Sequence, residues 1–328
     1  MKLFKLFLVT ALIPFILTAN EDRPPVSYNY LSKTNVQHFI AMMHRWYGFD
    51  RNYLKRVFKQ AKLDRDTLAR YTGKFKKNTT VGSWERFKLH VVNETTFKEA
   101  RVFKKQHYKT LNRAARMYKV DADYIVGFLG VESHFGTYTG DYNIFDALAT
   151  LAFHPNRMQK FFKNELKHLF LFAREKNYTI IKLEGSFAGA MGCVQQVPSV
   201  ARKFGYDFDG DGSSVWDIED CIGSIAKFMH EHGWQKGLAA AIPASYQGSK
   251  RFRMLRTSHK RMLSLRTIKK AGIKPLYPFR QQRAYLVKTH NATHDDLWLG
   301  TKNFRVLTRY NNSANYGVAI YLIAQALK

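Results

Sequence analysis

Val126-Gly127-Phe128-Leu129-Gly130-Val131-Glu132-Ser133-His134-Phe135-Gly136 sets one carboxylate into an otherwise apolar run. Asp121 and Asp123 just upstream are residues that start helices, and Tyr124, Ile125, Phe128 and Leu129 recur at helical spacing. The pattern predicts a helix that begins at Asp121 or Asp123 and ends near Gly136. Glu132 lies four residues after Phe128 and eight after Tyr124, so its carboxylate shares a helix face with two aromatic rings. Desolvation by those rings and the negative end of the helix both disfavour the charged form and raise the pKa. A carboxyl with a raised pKa is what a general acid needs to protonate a glycosidic oxygen near neutral pH. Spacing alone also fits a glutamate that caps the helix or pairs with a neighbouring arginine.

Working outward, most of the chain carries helical periodicity. Val36, Phe39, Ile40, Met43 and Tyr47 predict one helix, stopped by Gly48. Asp50 is positioned to cap the next, whose apolar face is Tyr53, Leu54, Val57, Phe58 and Ala61. One long helix is expected over Thr95–Tyr118, and further helices around Ile144–Phe153, Met158–Glu175, Asp220–His232 and Tyr316–Leu327. Residues 63–92 are less regular and hold a basic stretch at Lys74–Lys77. Gly185–Gly192 is rich in glycine and small residues, a tight segment that exposes backbone. Lys250–Lys270 is basic and reads as a small subdomain or a flexible arm. Few strands are convincing, and the fold class expected is mainly α.

Composition narrows the setting. Lys and Arg number 53 against 25 Asp and Glu, a formal charge of +28 that attracts polyanions such as nucleic acid, anionic headgroups or a carboxylate-bearing cell wall. Two lysines, an apolar run over Leu6–Thr18 and the small residue Ala19 give residues 1–19 the layout of a secretory signal peptide. The run is shorter than the roughly 20 residues of a spanning helix, and an uncleaved anchor is the alternative. No Cys follows it, so nothing suggests a lipoprotein. A periplasmic or secreted location follows, which argues against a nucleic-acid partner, as does the absence of a binding motif. Cys193 and Cys221 are 28 residues apart and are able to pair in an oxidising compartment, although the separation does not fix their distance.

Several ordered motifs carry a resemblance. The stretch around Glu132, Asp146-Ala-Leu-Ala-Thr-Leu151, and Gly185-Ser-Phe-Ala-Gly-Ala-Met-Gly192 with Gln195 and Pro198 are similar to the motifs of the lytic murein transglycosylase B family. So are Asp207-Phe-Asp-Gly-Asp-Gly212, Trp216-Asp217, His232-Gly-Trp234, and Arg309-Tyr-Asn311 with Ser313 and Tyr316. The match runs in order from about residue 30 to the end and is densest over 120–235. It implies a lysozyme-like catalytic domain with helical N-terminal and C-terminal segments packed on it. The expected division is a signal peptide (1–19), a linker (20–33) and a transglycosylase domain (34–328). That domain would have a catalytic core near 120–240 and a basic subdomain or arm near 245–300.

The resemblance implies non-hydrolytic cleavage of peptidoglycan glycan strands, with Glu132 as the single acid and base. It further implies that Ser186 and Gln195 hydrogen-bond the sugar at the cleavage point, the serine orienting either the N-acetyl group or Glu132. Arg157 would bind a peptide or lactyl carboxylate, and Tyr310, Asn311 and Tyr316 would line the glycan groove. Turn chemistry for Ser186, a surface charge for Arg157 and core packing for the tyrosines are the plainer roles. A monomer working at the anionic envelope surface is expected.

Asp207, Asp209, Asp211 and Gly212 occupy positions 1, 3, 5 and 6 of a calcium-loop pattern, but position 12 is Ile218 rather than an acid. Ca2+ is therefore an optional rather than a required cofactor, and a simple acidic turn is the alternative. Cys193, Val194 and Gln196 depart from the family's usual aromatic, glycine and apolar residues beside Gln195. A hydrolytic muramidase would need a second carboxylate, for which Glu184 and Asp146 are the nearby candidates. A peptidoglycan-binding scaffold without strong activity is the remaining alternative.

Overall fold

The computed structural model describes residues 24–72, 82–212, 214–247 and 257–328. The signal-like residues 1–19, the basic stretch Lys74–Lys77 and the start of Lys250–Lys270 lie outside the described residues.

In the N-terminal part, β1 (Val26–Ser27) and β2 (Lys62–Leu63) pair as a short antiparallel ladder. Helix α1 (Thr34–Tyr47) buries Val36, Phe39, Ile40 and Met43 and stops where Gly48 turns left-handed. Asp50 caps α2 (Arg51–Gln60) by accepting the Tyr53 N–H at 2.6 Å. Then come α3 (Arg65–Thr72) and α4 (Ser83–Val91). The long helix expected over Thr95–Tyr118 is two, α5 (Glu94–Gln106) and α6 (Tyr108–Tyr118), broken at His107. Helix α7 (Ala122–Ser133) carries Glu132. It leads to β3 (Tyr142–Asn143), α8 (Ile144–Phe153), α9 (Gln159–Glu175), β4 (Glu184–Gly185), α10 (Pro198–Phe204) and α11 (Ile218–Glu231). The break at His107 lets α5 lie on α7 while α6 lies on α11.

A five-stranded antiparallel sheet follows, formed by β5 (Ala241–Tyr246), β6 (Met262–Ser264), β7 (Ile273–Pro275), β8 (Arg283–His290) and β9 (Asp295–Gly300). Its strand order is β6-β8-β9-β5-β7. One short helix, α12 (Leu265–Lys270), sits within it. The chain closes with α13 (Lys302–Tyr310) and α14 (Ala314–Gln325).

Two apolar cores hold these elements. One gathers α1, α2, α8 and α9 around the wholly buried α8, with Phe39, Phe58, Phe145 and Phe170 packed ring to ring. The other surrounds α7, in which ten consecutive residues from Tyr124 to Ser133 are buried, and includes α11, α13 and α14. The sheet leans on this second core through Tyr285, Val287 and Trp298, and its opposite face forms a third cluster with Ala284, Leu286, Leu297 and Leu299. A helix that is apolar all round has to be central, because any exposed side would leave that surface in water. The architecture is mainly α, as expected, with the sheet as the unforeseen element.

Candidate active site

Glu132 sits in the last turn of α7 and is 6% exposed. The Tyr316 hydroxyl, from α14, donates a short hydrogen bond to its Oε1. The two helices can come this close because of Gly127. A Cβ there would lie 2.8 Å from the Ile320 carbonyl oxygen. From Gly127 to Glu132 is five residues along α7, and from Ile320 back to Tyr316 is four along α14. At about 1.5 Å rise per residue these are comparable distances, so an antiparallel pair in contact at Gly127 and Ile320 meets again at Glu132 and Tyr316.

Three rings close the floor of the site. Phe128, one turn before Glu132, meets Tyr310 edge-on at 5.3 Å and Tyr316 edge-on at 6.1 Å. Tyr310 and Tyr316 are parallel at 6.4 Å. Removal from water pushes the Glu132 carboxyl up to about 8, and the Tyr316 hydrogen bond opposes that rise by favouring the anion. Among the described residues no neighbouring acid contributes to the shift. Burial holds both tyrosine hydroxyls well above their ordinary range, so they stay neutral donors.

The chain reverses sharply after Ser133, with His134, Phe135 and Gly136 all at positive φ. Ser133 fastens this turn: its Oγ donates to the Cys193 carbonyl at 2.7 Å and accepts the Gly136 N–H at 3.0 Å. Residues 192–196 lie opposite. Cys193 and Cys221 are disulfide-bonded with their Cα atoms 6.2 Å apart, the pairing that spacing alone left open. Gly192 is obligatory here, since a Cβ would sit 1.7 Å from the Val215 carbonyl oxygen. The Tyr310 hydroxyl donates to the Val194 carbonyl.

The residues expected to bind substrate fall into different settings. Gln195 is half-buried, holds a left-handed φ of 47°, and donates through Nε2 to the carbonyls of Thr139 at 2.8 Å and Gly192 at 3.0 Å. Ser186 is buried and its Oγ accepts the N–H groups of Ala190 at 3.0 Å and Ala188 at 3.3 Å, which is turn chemistry. It is Tyr316, not Ser186, that hydrogen-bonds Glu132, a pairing across 184 residues that no local pattern signals. Arg157 is exposed with its guanidinium 5.1 Å from the Tyr71 ring centre. Asn311 is half-buried at the C-cap of α13. Tyr310 and Tyr316 are fully buried and form the wall behind Glu132 rather than an open groove surface.

Of the two candidate second carboxylates, one is engaged and the other exposed. Asp146 spends Oδ1 on the Lys62 N–H at 2.8 Å, stitching α8 to β2, and burial pushes its carboxyl up to about 6. Glu184 is exposed on β4. The acidic loop gathers Asp207 and Asp209 with Asp220 of α11, with one oxygen of each within 4.8 Å of the others. Asp211 stands beside Asp209, which raises its pKa by like-charge repulsion. Position 14 of the loop therefore supplies the acid that position 12 lacks. Such an all-oxygen donor set suits a hard cation. Both Asp220 oxygens also accept backbone N–H groups, from Phe208 and Ser214 at 2.6 Å, which orients them toward the loop.

A helical fold closed around one uncharged, buried carboxyl at a helix end is of the lysozyme-like class. Solved structures agree. Two structures of the Escherichia coli lytic transglycosylase SLT35, one in complex with calcium and one with bulgecin A, superpose with a TM-score of 0.83 at 34% identity, covering 92% of this chain and 95% of theirs. Membrane-bound lytic murein transglycosylase B of Escherichia coli strain K12 is 34% identical over 322 residues, 95% of this chain and 88% of that protein. The family model for the transglycosylase SLT domain matches residues 32–325, and the chain belongs to that family.

Proposed function

We propose that the chain cleaves peptidoglycan between N-acetylmuramic acid and N-acetylglucosamine, forming 1,6-anhydromuramic ends, with Glu132 as both acid and base. The observation that carries this reading is Glu132 itself: buried, uncharged at neutral pH, and bonded to a neutral tyrosine instead of a second acid. Its O–H proton passes to the leaving glycosidic oxygen as the bond to C1 breaks. The carboxylate so formed accepts the hydrogen bond from Tyr316 and takes the proton of the sugar's C6 hydroxyl, whose oxygen bonds to C1. No water is consumed. The substrate's N-acetyl group can stabilise the cationic carbon in place of an enzyme carboxylate. A pKa near 8 suits both halves, since the group is protonated at the start and more basic than an ordinary carboxylate afterwards.

Gln195, Ser186, Arg157 and Asn311 are proposed to hold the glycan and its peptide carboxylates around this centre. The Asp207, Asp209 and Asp220 cluster would hold calcium, the ion present in one of the SLT35 structures. Residues 34–328 would act as one catalytic unit, with 241–300 as its accessory sheet. No described helix is long and apolar enough to cross a membrane, and the +28 charge supports work at an anionic envelope surface. Mass spectrometry of fragments released from purified sacculi tests the function directly. Products lighter by one water than reducing muropeptides, absent with Glu132→Gln, support it. Reducing ends would mean hydrolysis, and undiminished release by Glu132→Gln would remove the glutamate from the chemistry.

A further inference from the structure

We propose that the Cys193–Cys221 disulfide is a positioning device for the active-site carboxyl, acting through residues 192–196 and Tyr310; the inference rests on Glu132 being the acid and base. Four connections make the path. Cys221 lies in α11 and the bridge ties Cys193 to it. Cys193 is fixed on both sides of its peptide, its N–H donating to the Val215 carbonyl at 3.0 Å and its carbonyl accepting from Ser133, the residue after Glu132. The next carbonyl, that of Val194, is the acceptor for the Tyr310 hydroxyl. Tyr310 in turn packs parallel to Tyr316, which bonds Glu132.

Among the described residues, the other polar tethers of this loop are hydrogen bonds to neutral groups, each individually weak. The disulfide is the covalent one. Both cysteines are 1% exposed in close packing. Two thiol sulfurs cannot approach closer than van der Waals contact, so opening the bridge forces Cys193 and Cys221 apart. The space on the α11 side is filled: Ile222, Gly223, Ser224 and Ile225 beside Cys221 are buried, and a Cβ at Gly223 would lie 2.5 Å from the Phe208 side chain. The yielding part is then 193–195, and the Val194 carbonyl moves with it. Tyr310 loses its acceptor and the wall behind Glu132 loosens, so water reaches the carboxyl. Among the described residues, Tyr316 of α14 and Tyr310 of α13 are the titratable groups that act on Glu132, and both are neutral in the working range. A change in Glu132 titration therefore reports its solvation rather than a new neighbouring charge.

The test compares pH–rate profiles for release of soluble fragments from sacculi by the native chain, the double variant Cys193→Ala with Cys221→Ala, and Tyr310→Phe with the bridge intact. The native chain reduced with dithiothreitol is a fourth arm. Each opened bridge there gains two hydrogens from the reagent, which closes to its own cyclic disulfide, and free thiols are counted by alkylation. The expected result is that activity fails at a pH lower by one unit or more in all three altered forms, with about tenfold lower kcat. Sacculus binding and helical circular dichroism should stay native. An unchanged alkaline limit in Tyr310→Phe overturns the proposal, and so does an unchanged limit in the folded double variant or in chains whose thiols have been counted as open. If the double variant or the reduced chain fails to fold, Tyr310→Phe decides alone. Glu132→Gln, assayed beside them with its bridge intact, tests the underlying reading separately: its activity would sink that reading, whereas its inactivity with unmoved limits elsewhere would sink only the role of the bridge.

Discussion

Gly127 of α7 lies directly against the backbone of Ile320 in α14, so close that a Cβ would stand 2.8 Å from the Ile320 carbonyl oxygen. That contact sets the helix separation at which Tyr316 reaches Glu132. The residue without a side chain is therefore as much a part of the site as the two that touch. Gly127→Ala should force the helices apart, since backbone cannot yield as a flexible side chain can. Overpacking of this kind costs about 1–3 kcal/mol. The expected outcome is a lowered Tm together with a fall in kcat of tenfold or more, read by calorimetry and by fragment release. A variant with native rate would show that the Tyr316 contact does not depend on this packing.

Tyr316→Phe isolates the hydrogen bond from the packing, because the ring stays. The bond favours the Glu132 anion, so its loss removes the influence that opposes burial. The alkaline limit of activity should rise above about 8, the opposite direction from the change expected when the wall loosens. Hydrogen bonds to charged groups contribute about 1.5–3 kcal/mol, so the step that leaves Glu132 anionic should slow by roughly tenfold to a hundredfold. A pH–rate profile gives both quantities.

The helices were legible because most bury one face, and a single face leaves a 3.6-residue imprint; α1, α2, α9 and α11 fall within a few residues of expectation. The five-stranded sheet left no such imprint. In β8, Tyr285 and Val287 face the main core while Ala284 and Leu286 face the smaller one. A strand buried on both faces does not alternate, and period alone cannot tell it from helix. At the site, the apolar setting of Glu132 was legible from the aromatic residues along its helix, whereas its reading as an acid came from the resemblance of the surrounding motifs. Tyr316 as its partner was not legible, since only the antiparallel packing of α7 on α14 joins residues that far apart. Asp220 was hidden similarly: the loop pattern seeks an acid at position 12, and the fold supplies one from the first turn of α11.

The charge of +28 should make retention on sacculi an ionic-strength effect. The Debye length falls from about 10 Å at 0.1 M salt to about 3 Å at 1 M. Co-sedimentation with purified sacculi should weaken steadily over that range. Binding that ignores salt would assign retention to contacts with the glycan instead.

Calcium should stabilise the chain through the acidic loop. Asp207 and Asp209 are exposed and near Asp220, so without a cation their charges repel across the turn that enters α11. Millimolar calcium should raise Tm by several degrees, and a chelator should reverse it. Asp209→Ala should abolish the response, because it removes the ligand oxygen as well as the charge. It should leave the calcium-free Tm unchanged or slightly higher, because it also removes repulsion. Asp220→Asn is the less clean variant, as that carboxylate also holds the Phe208 and Ser214 N–H groups. A calcium shift that survives Asp209→Ala would place the ion elsewhere.

The raised pKa of Glu132 also makes a statement about stability. Burial lifts the folded-state value to about 8 from an ordinary 4.5. Between those values the folded chain keeps a proton that the unfolded chain has released, so the unfolded state binds fewer protons and stability falls as pH rises. The group contributes no penalty below about 4.5, an increasing one up to about 8, and a constant one above that. At about 1.4 kcal/mol per unit, the cost is roughly 3 kcal/mol at pH 7. Glu132→Gln keeps the shape and cannot ionise. It should match the parent chain in denaturant unfolding near pH 4.5 and exceed it by a few kcal/mol at pH 8 and above, while releasing no fragments from sacculi. Equal stabilities across that range would mean that Glu132 is solvated in the folded chain, and the case for it as an acid at neutral pH would lose its physical basis.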